Sequence, residues 1–269
     1  MESQGEFALV GAGSAATSLA AEFSRKPGAL GPVVAVSLRV ASRIANSIDA
    51  GTPARDASVL RDYSIILVHA PPNQMKSLTV TLSEAGLSWT GKSLIFVECE
   101  AGPMRHSPMA SASFAWIRRC PMPGRLAVGG DGDALHAAIR LAGTLDRHPI
   151  VVPAGVKARF DAAMLLGGPA FTPIIDSVAH ILRETGMMDK QAVRTAVALF
   201  QSAVQGYSRS GRQSWEWHIH PPDVEALQLQ IEALGGEEAT ILRSLIQLAF
   251  ARFQRHTNTA TKLRDYKGR

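Results

Sequence analysis

The first 152 residues alternate between short, continuously apolar runs and longer segments whose apolar residues recur at helical spacing. The apolar runs predict strands buried on both faces of a sheet, and the other segments predict the helices that cover it. The strongest predicted strands are 7–10, 33–38, 64–69 and 93–98, and the helices between them are 14–23, 40–48 and 74–85. This alternation predicts an α/β fold with a doubly wound parallel sheet.

The pattern changes after Pro153, where apolar residues at helical spacing continue to the end of the chain. Before that point, weaker strands are predicted at 114–117, 126–128 and 149–152, with a helix at 133–145. After it, the predicted helical segments are 156–184, 189–209, 223–234 and 237–254. We therefore expect two domains, an α/β domain at 1–153 and an all-helical domain at 154–269.

A glycine-rich turn follows the first predicted strand. Gly11 allows the tight turn, Gly13 lets a phosphate approach the backbone, and Ala16 keeps the next helix close to the sheet. Ser14 and Ala15 complete the turn. The pattern G-x-G-x-x-A is weak alone, but here it lies between a strand and a helix at the start of a βα series, as in a dinucleotide-binding Rossmann unit. The alternative is a glycine turn that holds no nucleotide.

The end of the second predicted strand distinguishes NAD from NADP. NAD enzymes usually place an acid there to bind the ribose 2′-hydroxyl. This chain instead has Ser37, Arg39 and Arg43, whose hydroxyl and guanidinium groups suit a 2′-phosphate. NADP is the predicted cofactor, and the alternative is that both arginines are ordinary surface residues at the start of a helix.

A second predicted part of the cofactor site lies at the end of the third strong strand. His69, Ala70 and Pro71 stand at the carboxyl edge of the predicted sheet, where ligands bind in open α/β folds. Proline stiffens this loop, so we expect the segment to form a wall beside the nicotinamide ribose. His69 has the alternative role of a buried histidine hydrogen-bonded to backbone.

Together, Arg39, the 70–72 segment, the 98–102 turn and the helical second half resemble the pyrroline-5-carboxylate reductase and 6-phosphogluconate dehydrogenase-like superfamily. The segment Leu-Gly-Gly-Pro-Ala-Phe at 166–171 resembles the Gly-Ser-Gly-Pro-Ala-Tyr stretch of those reductases, without its serine. The resemblance implies a Rossmann domain, a helical dimerisation domain and reduction of a small imine or 2-oxo acid.

The chain departs from these reductases at 218–223, where they carry a Pro-Gly-Gly-Thr-type substrate loop. The segment 221–234 is more similar to the helix start of Rossmann-like proteins with a DUF2520-type helical domain. His218 and His220 lie in this region, where they predict either part of a metal site or a turn stiffened by two prolines. A metal needs three or four converging ligands, so no metal site is assigned.

In the hydroxyacid dehydrogenase branch of the superfamily, a lysine and an asparagine one helical turn apart face the substrate. Lys157 and Asp161 have this spacing, so the resemblance implies that both are catalytic. Lys157 would donate a proton to the substrate as hydride arrives. Asp161 would hold a substrate amine or iminium, or would form a plain i,i+4 salt bridge with Lys157.

Composition and charge add limits on location and partners. The two cysteines form no disulfide framework and the acidic first residues do not fit a secretory signal, so we expect a cytoplasmic protein. The net charge of +5 comes from scattered arginines and a basic tail, and we expect neither nucleic acid nor membrane as a partner. Apolar stripes on the C-terminal helices predict either a helical core or a homodimer.

The sequence thus predicts an NADP-dependent oxidoreductase with a small-molecule substrate. The alternative from another class is a non-catalytic NADP-binding sensor or scaffold.

Overall fold

The structure is a computed structural model, and it describes residues 5–12, 18–26, 28–101, 104–105, 108–215 and 224–253. The chain divides into two compact units, residues 1–165 and 166–269. The predicted domain boundary between 153 and 154 stays a prediction. The first compact unit extends beyond it, to Leu165.

The first unit is built around one sheet of eight strands among its described residues. These are β1 (Phe7–Gly11), β2 (Leu30–Val34), β3 (Thr52–Pro53), β4 (Ile65–His69), β5 (Ser93–Val97), β6 (Ser113–Arg119), β7 (Arg125–Gly130) and β8 (His148–Val151). The strand order is β3-β2-β1-β4-β5-β6-β7-β8. The first six strands in this order are parallel, and β7 is antiparallel to β6. The order reverses beside β1, so the sheet is doubly wound and its ligand crevice is expected at the carboxyl ends of the parallel strands.

Helices α1 (Leu19–Phe23), α2 (Leu38–Ile48), α3 (Pro72–Glu84) and α4 (Gly132–Thr144) cover both faces of this sheet. Helix α5 (Lys157–Leu166) follows β8 and contributes only the half-buried Phe160 to the core. Side chains alternate between the faces of a strand, and the core follows that rule. In β1, Phe7 and Leu9 pack with α1, α2 and α4, whereas Ala8 and Val10 pack with α3 on the other face. The predicted α/β class is therefore confirmed.

The structure differs from the predicted sheet in two details. The second strand is Leu30–Val34 and not 33–38, because Ser37 caps α2 and the chain has already left the sheet. Val36 and Leu38 are exposed. The sheet is also not parallel throughout: only residues 120–124 join β6 to β7, and a connection this short makes an antiparallel hairpin.

The second unit is helical, as predicted. Its α-helices in the described residues are α6 (Phe171–Glu184), α7 (Asp189–Ser210), α8 (Val224–Leu234) and α9 (Gly236–Phe253). Within it α6 packs on α7, and α8 packs on α9 around Ile231, Ala239 and Ile246. One stretch of the described chain, Lys157–Glu184, is long and apolar enough by composition to cross a membrane. It comprises two helices joined by a turn, and one such stretch is weak evidence for a membrane protein.

Candidate active site

The glycine turn begins where β1 ends. Gly11 is buried and is the last residue of β1. A Cβ atom placed on it would lie 3.0 Å from Cδ1 of Ile44 in α2, so glycine lets α2 pack closely on the end of the strand. The other predicted turn residues, Gly13, Ser14, Ala15 and Ala16, lie outside the described residues.

The residues predicted to bind the 2′-phosphate lie at the start of α2. Ser37 is the N-cap of this helix, and its hydroxyl accepts a hydrogen bond from the Val40 N–H at 3.3 Å. Arg39 is in the first turn and Arg43 is one turn later, and both are exposed. Neither guanidinium forms an ion pair within the described part of the chain. Residues 30–48 contain no acid, so this segment offers cations and hydroxyls without a competing carboxylate.

A cavity of about 460 Å³ opens at the carboxyl ends of β1, β4, β5 and β6. It contains the predicted wall residues together with charged residues from two further strand ends. The lining residues are Ala12, His69, Ala70, Pro71, Pro72, Glu98, Cys99, Glu100, Arg118 and Arg119. The structure therefore brings the predicted His69, Ala70 and Pro71 into one site, at the edge where α/β folds bind ligands.

His69 has the backbone partner that the alternative interpretation predicted. Its Nδ1 lies 2.9 Å from the Val97 carbonyl oxygen, which can only accept a hydrogen bond. When Nδ1 carries the proton of the neutral ring, Nε2 remains as an acceptor. His69 is half-buried and lines the cavity, so it combines a structural contact with a place in the site.

One charged cluster links β5 and β6 to α1. Glu98 has a left-handed φ of 57°, and its side chain accepts a hydrogen bond from the Leu19 N–H at 3.0 Å. Its other oxygen lies 2.5 Å from Arg119, which also contacts Glu22 of α1 at 2.7 Å. Arg147 contacts the second oxygen of Glu22 at 2.8 Å. These contacts fix the beginning of α1 against the strand ends.

A second charged cluster contains both predicted catalytic residues. Lys157 Nζ lies 2.6 Å from Asp161 Oδ2, which is the i,i+4 salt bridge of the alternative interpretation. The same ammonium lies 2.7 Å from Glu100 Oε1. Arg118 contacts Glu100 Oε1 at 2.6 Å and Asp161 Oδ1 at 3.0 Å. Two cations and two carboxylates therefore form a closed ring of ion pairs.

This ring lies against the indole of Trp116. The guanidinium carbon of Arg118 and the ammonium of Lys157 each lie 5.2 Å from the centroid of a Trp116 ring, within the range of a cation–π contact. Burial acts to raise the pKa of Glu100, but hydrogen bonds from Lys157 and Arg118 outweigh it and hold the pKa below its usual value. Glu100 is therefore ionised at neutral pH.

Sequence reasoning missed four of the charged groups in the site. Glu98 and Glu100 follow β5, and Arg118 and Arg119 are the last residues of β6. The signal that could have found them is their position, since charged residues directly at the carboxyl end of a parallel strand face the ligand crevice. The predicted strand 114–117 ended two residues before the end of β6 and so did not show it.

No group of three or more metal-binding side chains occurs among the residues the structure describes. His218 and His220 lie outside those residues, so neither interpretation of this pair is decided.

No protein-family model and no curated protein matches this sequence. Solved structures with the same fold do match. The V8 variant of an imine reductase from Myxococcus stipitatus, in complex with NAD+, is 16% identical with a TM-score of 0.63, covering 97% of this chain and 99% of its own. A pyrroline-5-carboxylate reductase from Coxiella burnetii is 15% identical with a TM-score of 0.56, covering 97% and 98%. An imine reductase from a Pseudomonas species is 13% identical with a TM-score of 0.58, covering 96% and 90%.

At these identities the likeness shows the fold. It is a Rossmann domain followed by a helical domain, which is the fold that the predicted resemblance implies. Similarity to proteins with a DUF2520-type domain stays a prediction.

Proposed function

We propose that this protein is an oxidoreductase that uses NADP to reduce a small substrate with a C=N or C=O bond. The observation that carries the proposal is the cavity of about 460 Å³ at the carboxyl ends of β1, β4, β5 and β6. It lies at the edge where a doubly wound sheet binds its ligand, and it is lined by acids and bases. Proteins of the same fold include imine reductases and pyrroline-5-carboxylate reductases.

The residues present fit a dinucleotide cofactor. Gly11 ends β1 where a Cβ atom would lie 3.0 Å from the Ile44 side chain of α2, and a glycine is typical of the turn beneath a pyrophosphate. Ser37, Arg39 and Arg43 would hold the 2′-phosphate of NADP, with Arg binding it as a fork. His69, Ala70 and Pro71 would flank the nicotinamide end, and the predicted turn residues Gly13, Ser14, Ala15 and Ala16 would hold the pyrophosphate.

When bound, the nicotinamide supplies the hydride to the substrate carbon. The chain must then orient the substrate and protonate its nitrogen or oxygen. We assign proton donation to Lys157, whose ammonium lies near the cavity through its contact with the lining residue Glu100. Asp161, 2.6 Å from this ammonium, positions the lysine.

We also propose that the protein is a homodimer through its helical unit. Large apolar side chains are exposed along α6, α7, α8 and α9. They include Phe171, Val193, Val197, Leu199, Val204, Tyr207, Leu229, Leu245 and Leu248. An extensive exposed apolar surface is typical of an interface, and a second copy would cover it. Sedimentation at micromolar concentration should give a dimer, and a monomer would contradict this part of the proposal.

The cofactor assignment is tested by fluorescence titration with NADPH and NADH. We expect NADPH to bind roughly 10- to 100-fold more tightly, since charge-assisted hydrogen bonds contribute about 1.5–3 kcal/mol each. The Arg39→Ala/Arg43→Ala double variant should lose most of this preference. Arg140→Ala, which removes an exposed arginine from α4, is the matched control and should keep it. Equal affinities for NADPH and NADH in the parent protein would refute the assignment.

Turnover is tested by following NADPH oxidation with a panel of cyclic imines and 2-oxo acids. Steady oxidation with one panel member is the expected result, and Lys157→Met should lower kcat while leaving NADPH affinity unchanged. Tight NADPH binding without oxidation of any member would instead favour the non-catalytic sensor or scaffold.

A further inference from the structure

The side chains of Arg118 and Lys157 meet at one carboxylate oxygen. We call these two residues the paired cations. Both donate to Oε1 of Glu100, at 2.6 and 2.7 Å. The arginine is the penultimate residue of β6, and the lysine is the first residue of α5. Two cations from separate rigid elements therefore converge on a position that an anion occupies.

The two carboxylates of the ring differ in how they are held. Asp161 is on α5, one turn from Lys157, and it bonds both cations with separate oxygens. Glu100 lies on the loop after β5, and its side chain is 62% exposed, against 26% for Arg118 and 25% for Lys157. If Glu100 moved away, Asp161 and Trp116 would still hold the paired cations, and the site would carry an uncompensated positive charge.

Glu100 also lines two cavities. It lines the cavity of about 460 Å³ together with Arg118. It lines a neighbouring cavity of about 290 Å³ together with Trp116 and Lys157. A ligand that displaced this carboxylate would therefore meet Arg118 on the side of the first cavity and Lys157 on the side of the second.

We propose that the Glu100 carboxylate occupies the place of a substrate carboxylate, so that the site selects substrates whose carboxylate is adjacent to the reducible C=N or C=O bond. This inference rests on the proposed reductase function. Arg118 binds the substrate carboxylate and determines specificity, while Glu100 is the internal anion that the substrate displaces.

The geometry suits this class of substrate. Because Arg118 and Lys157 reach the same oxygen atom, they can contact two neighbouring acceptors of one small molecule. In a 2-oxo or 2-imino acid, these acceptors are a carboxylate oxygen and the heteroatom of the double bond. Bound NADPH would supply the hydride for the new C–H bond as the π bond breaks, and the heteroatom would take its proton from the Lys157 ammonium. NADPH is oxidised and the substrate is reduced, and the lysine regains a proton from solvent.

The test is a calorimetric titration of the NADP+-bound protein with pyrrole-2-carboxylate and with its uncharged counterpart, pyrrole-2-carboxamide. The parent protein should prefer the carboxylate. Arg118→Met should lower carboxylate affinity roughly 10- to 100-fold, because a charge-assisted hydrogen bond is lost, with little change for the carboxamide. Arg118→Lys should restore part of the preference.

Glu100→Gln gives the sharper result, because a merely structural ion pair would not produce it. Removing the internal carboxylate should raise carboxylate affinity roughly 2- to 5-fold, as expected for release of a partly exposed ion pair, and should leave carboxamide affinity unchanged. Glu84→Gln, an exposed acid of α3, removes the same charge elsewhere and should have no effect.

Unchanged or weaker carboxylate binding by Glu100→Gln would overturn the inference, and so would a failure of that variant to bind the carboxylate at all. NADPH affinity is measured separately on the same protein preparations before NADP+ is added. Failure of the parent protein to bind NADPH would count against the proposed function. If the parent protein binds NADPH but has equal affinities for the two pyrroles, only the role of Arg118 and Glu100 would be wrong.

Discussion

Lys92 offers the most direct test of the physical reasoning about the first unit. This lysine is 8% exposed, and its ammonium donates to the carbonyl oxygens of Leu60, Arg61 and Tyr63 at 3.0, 2.9 and 2.9 Å. The carbonyls belong to the end of a 3₁₀ helix, Ala57–Asp62, and to the residue that follows it. Lys92 therefore fastens this helix to the beginning of β5.

The expected effect of Lys92→Met follows from these contacts. Each hydrogen bond from a charged donor contributes about 1.5–3 kcal/mol, but two terms reduce the total. Burial lowers the pKa of Lys92, so removing the ammonium also relieves a desolvation cost. Arg61 is exposed, and the Leu60 carbonyl keeps a hydrogen bond from the Tyr63 N–H at 3.2 Å. We expect the free energy of unfolding to fall by about 3 kcal/mol.

The measurement is chemical denaturation of Lys92→Met against Lys76→Met, which removes an exposed lysine of α3. The free energy of unfolding of the control should lie within about 0.5 kcal/mol of that of the parent protein. If Lys92→Met also stayed within that range, the three carbonyl contacts would contribute nothing net, and the argument for this anchor would be wrong.

Two further predictions concern a thiol and a glycine. Burial raises the pKa of the Cys99 thiol to about 11, which lowers its thiolate fraction at neutral pH roughly 100-fold. Ellman titration of the native protein should therefore label the half-buried Cys120 first. Equal labelling rates for the two thiols would contradict the burial of Cys99. Since an unfolded thiol titrates near 9, stability should also fall as pH rises from about 9 to 11. Gly129→Ala would place its Cβ 2.6 Å from the Trp116 ring and should cost about 2 kcal/mol. Gly143→Ala in α4 meets no atom within 4 Å and should stabilise by about 0.5 kcal/mol, so similar thermal melts for the two variants would refute the packing argument.

The sequence could predict the sheet because its core strands are short, continuously apolar runs, as expected of strands covered on both faces. It could not predict the beginning of β2, because Gly31 and Pro32 look like a break in the strand. Proline is tolerated at this position of β2. The neighbouring strand β3 consists only of Thr52 and Pro53, so it is too short to leave a pattern in the sequence. The exposed Val36 and Leu38 extended the apolar run beyond the sheet and shifted the prediction.

The site was predicted where local motifs determine it and missed where distant segments meet. His69, Ala70 and Pro71 follow directly from the end of a strong strand. Glu100 and Arg118 are 18 residues apart in sequence, and only the pairing of β5 with β6 brings them together. The helical spacing of Lys157 and Asp161 showed that they could contact each other, but not that two further charges complete the ring.

The alternation of side chains along β6 determines that two consecutive arginines serve two separate clusters. Arg118 projects to the face of Trp116 and joins Glu100, whereas Arg119 projects to the face of α1 and joins Glu22 and Glu98. Neighbouring residues of a strand point to opposite faces, so neither arginine can replace the other. The cluster of Arg119 fixes the beginning of α1, the helix that follows the predicted nucleotide turn in sequence, and the cluster of Arg118 faces the proposed substrate. Charge changes at the first cluster should therefore alter cofactor affinity, and those at the second should alter substrate selection.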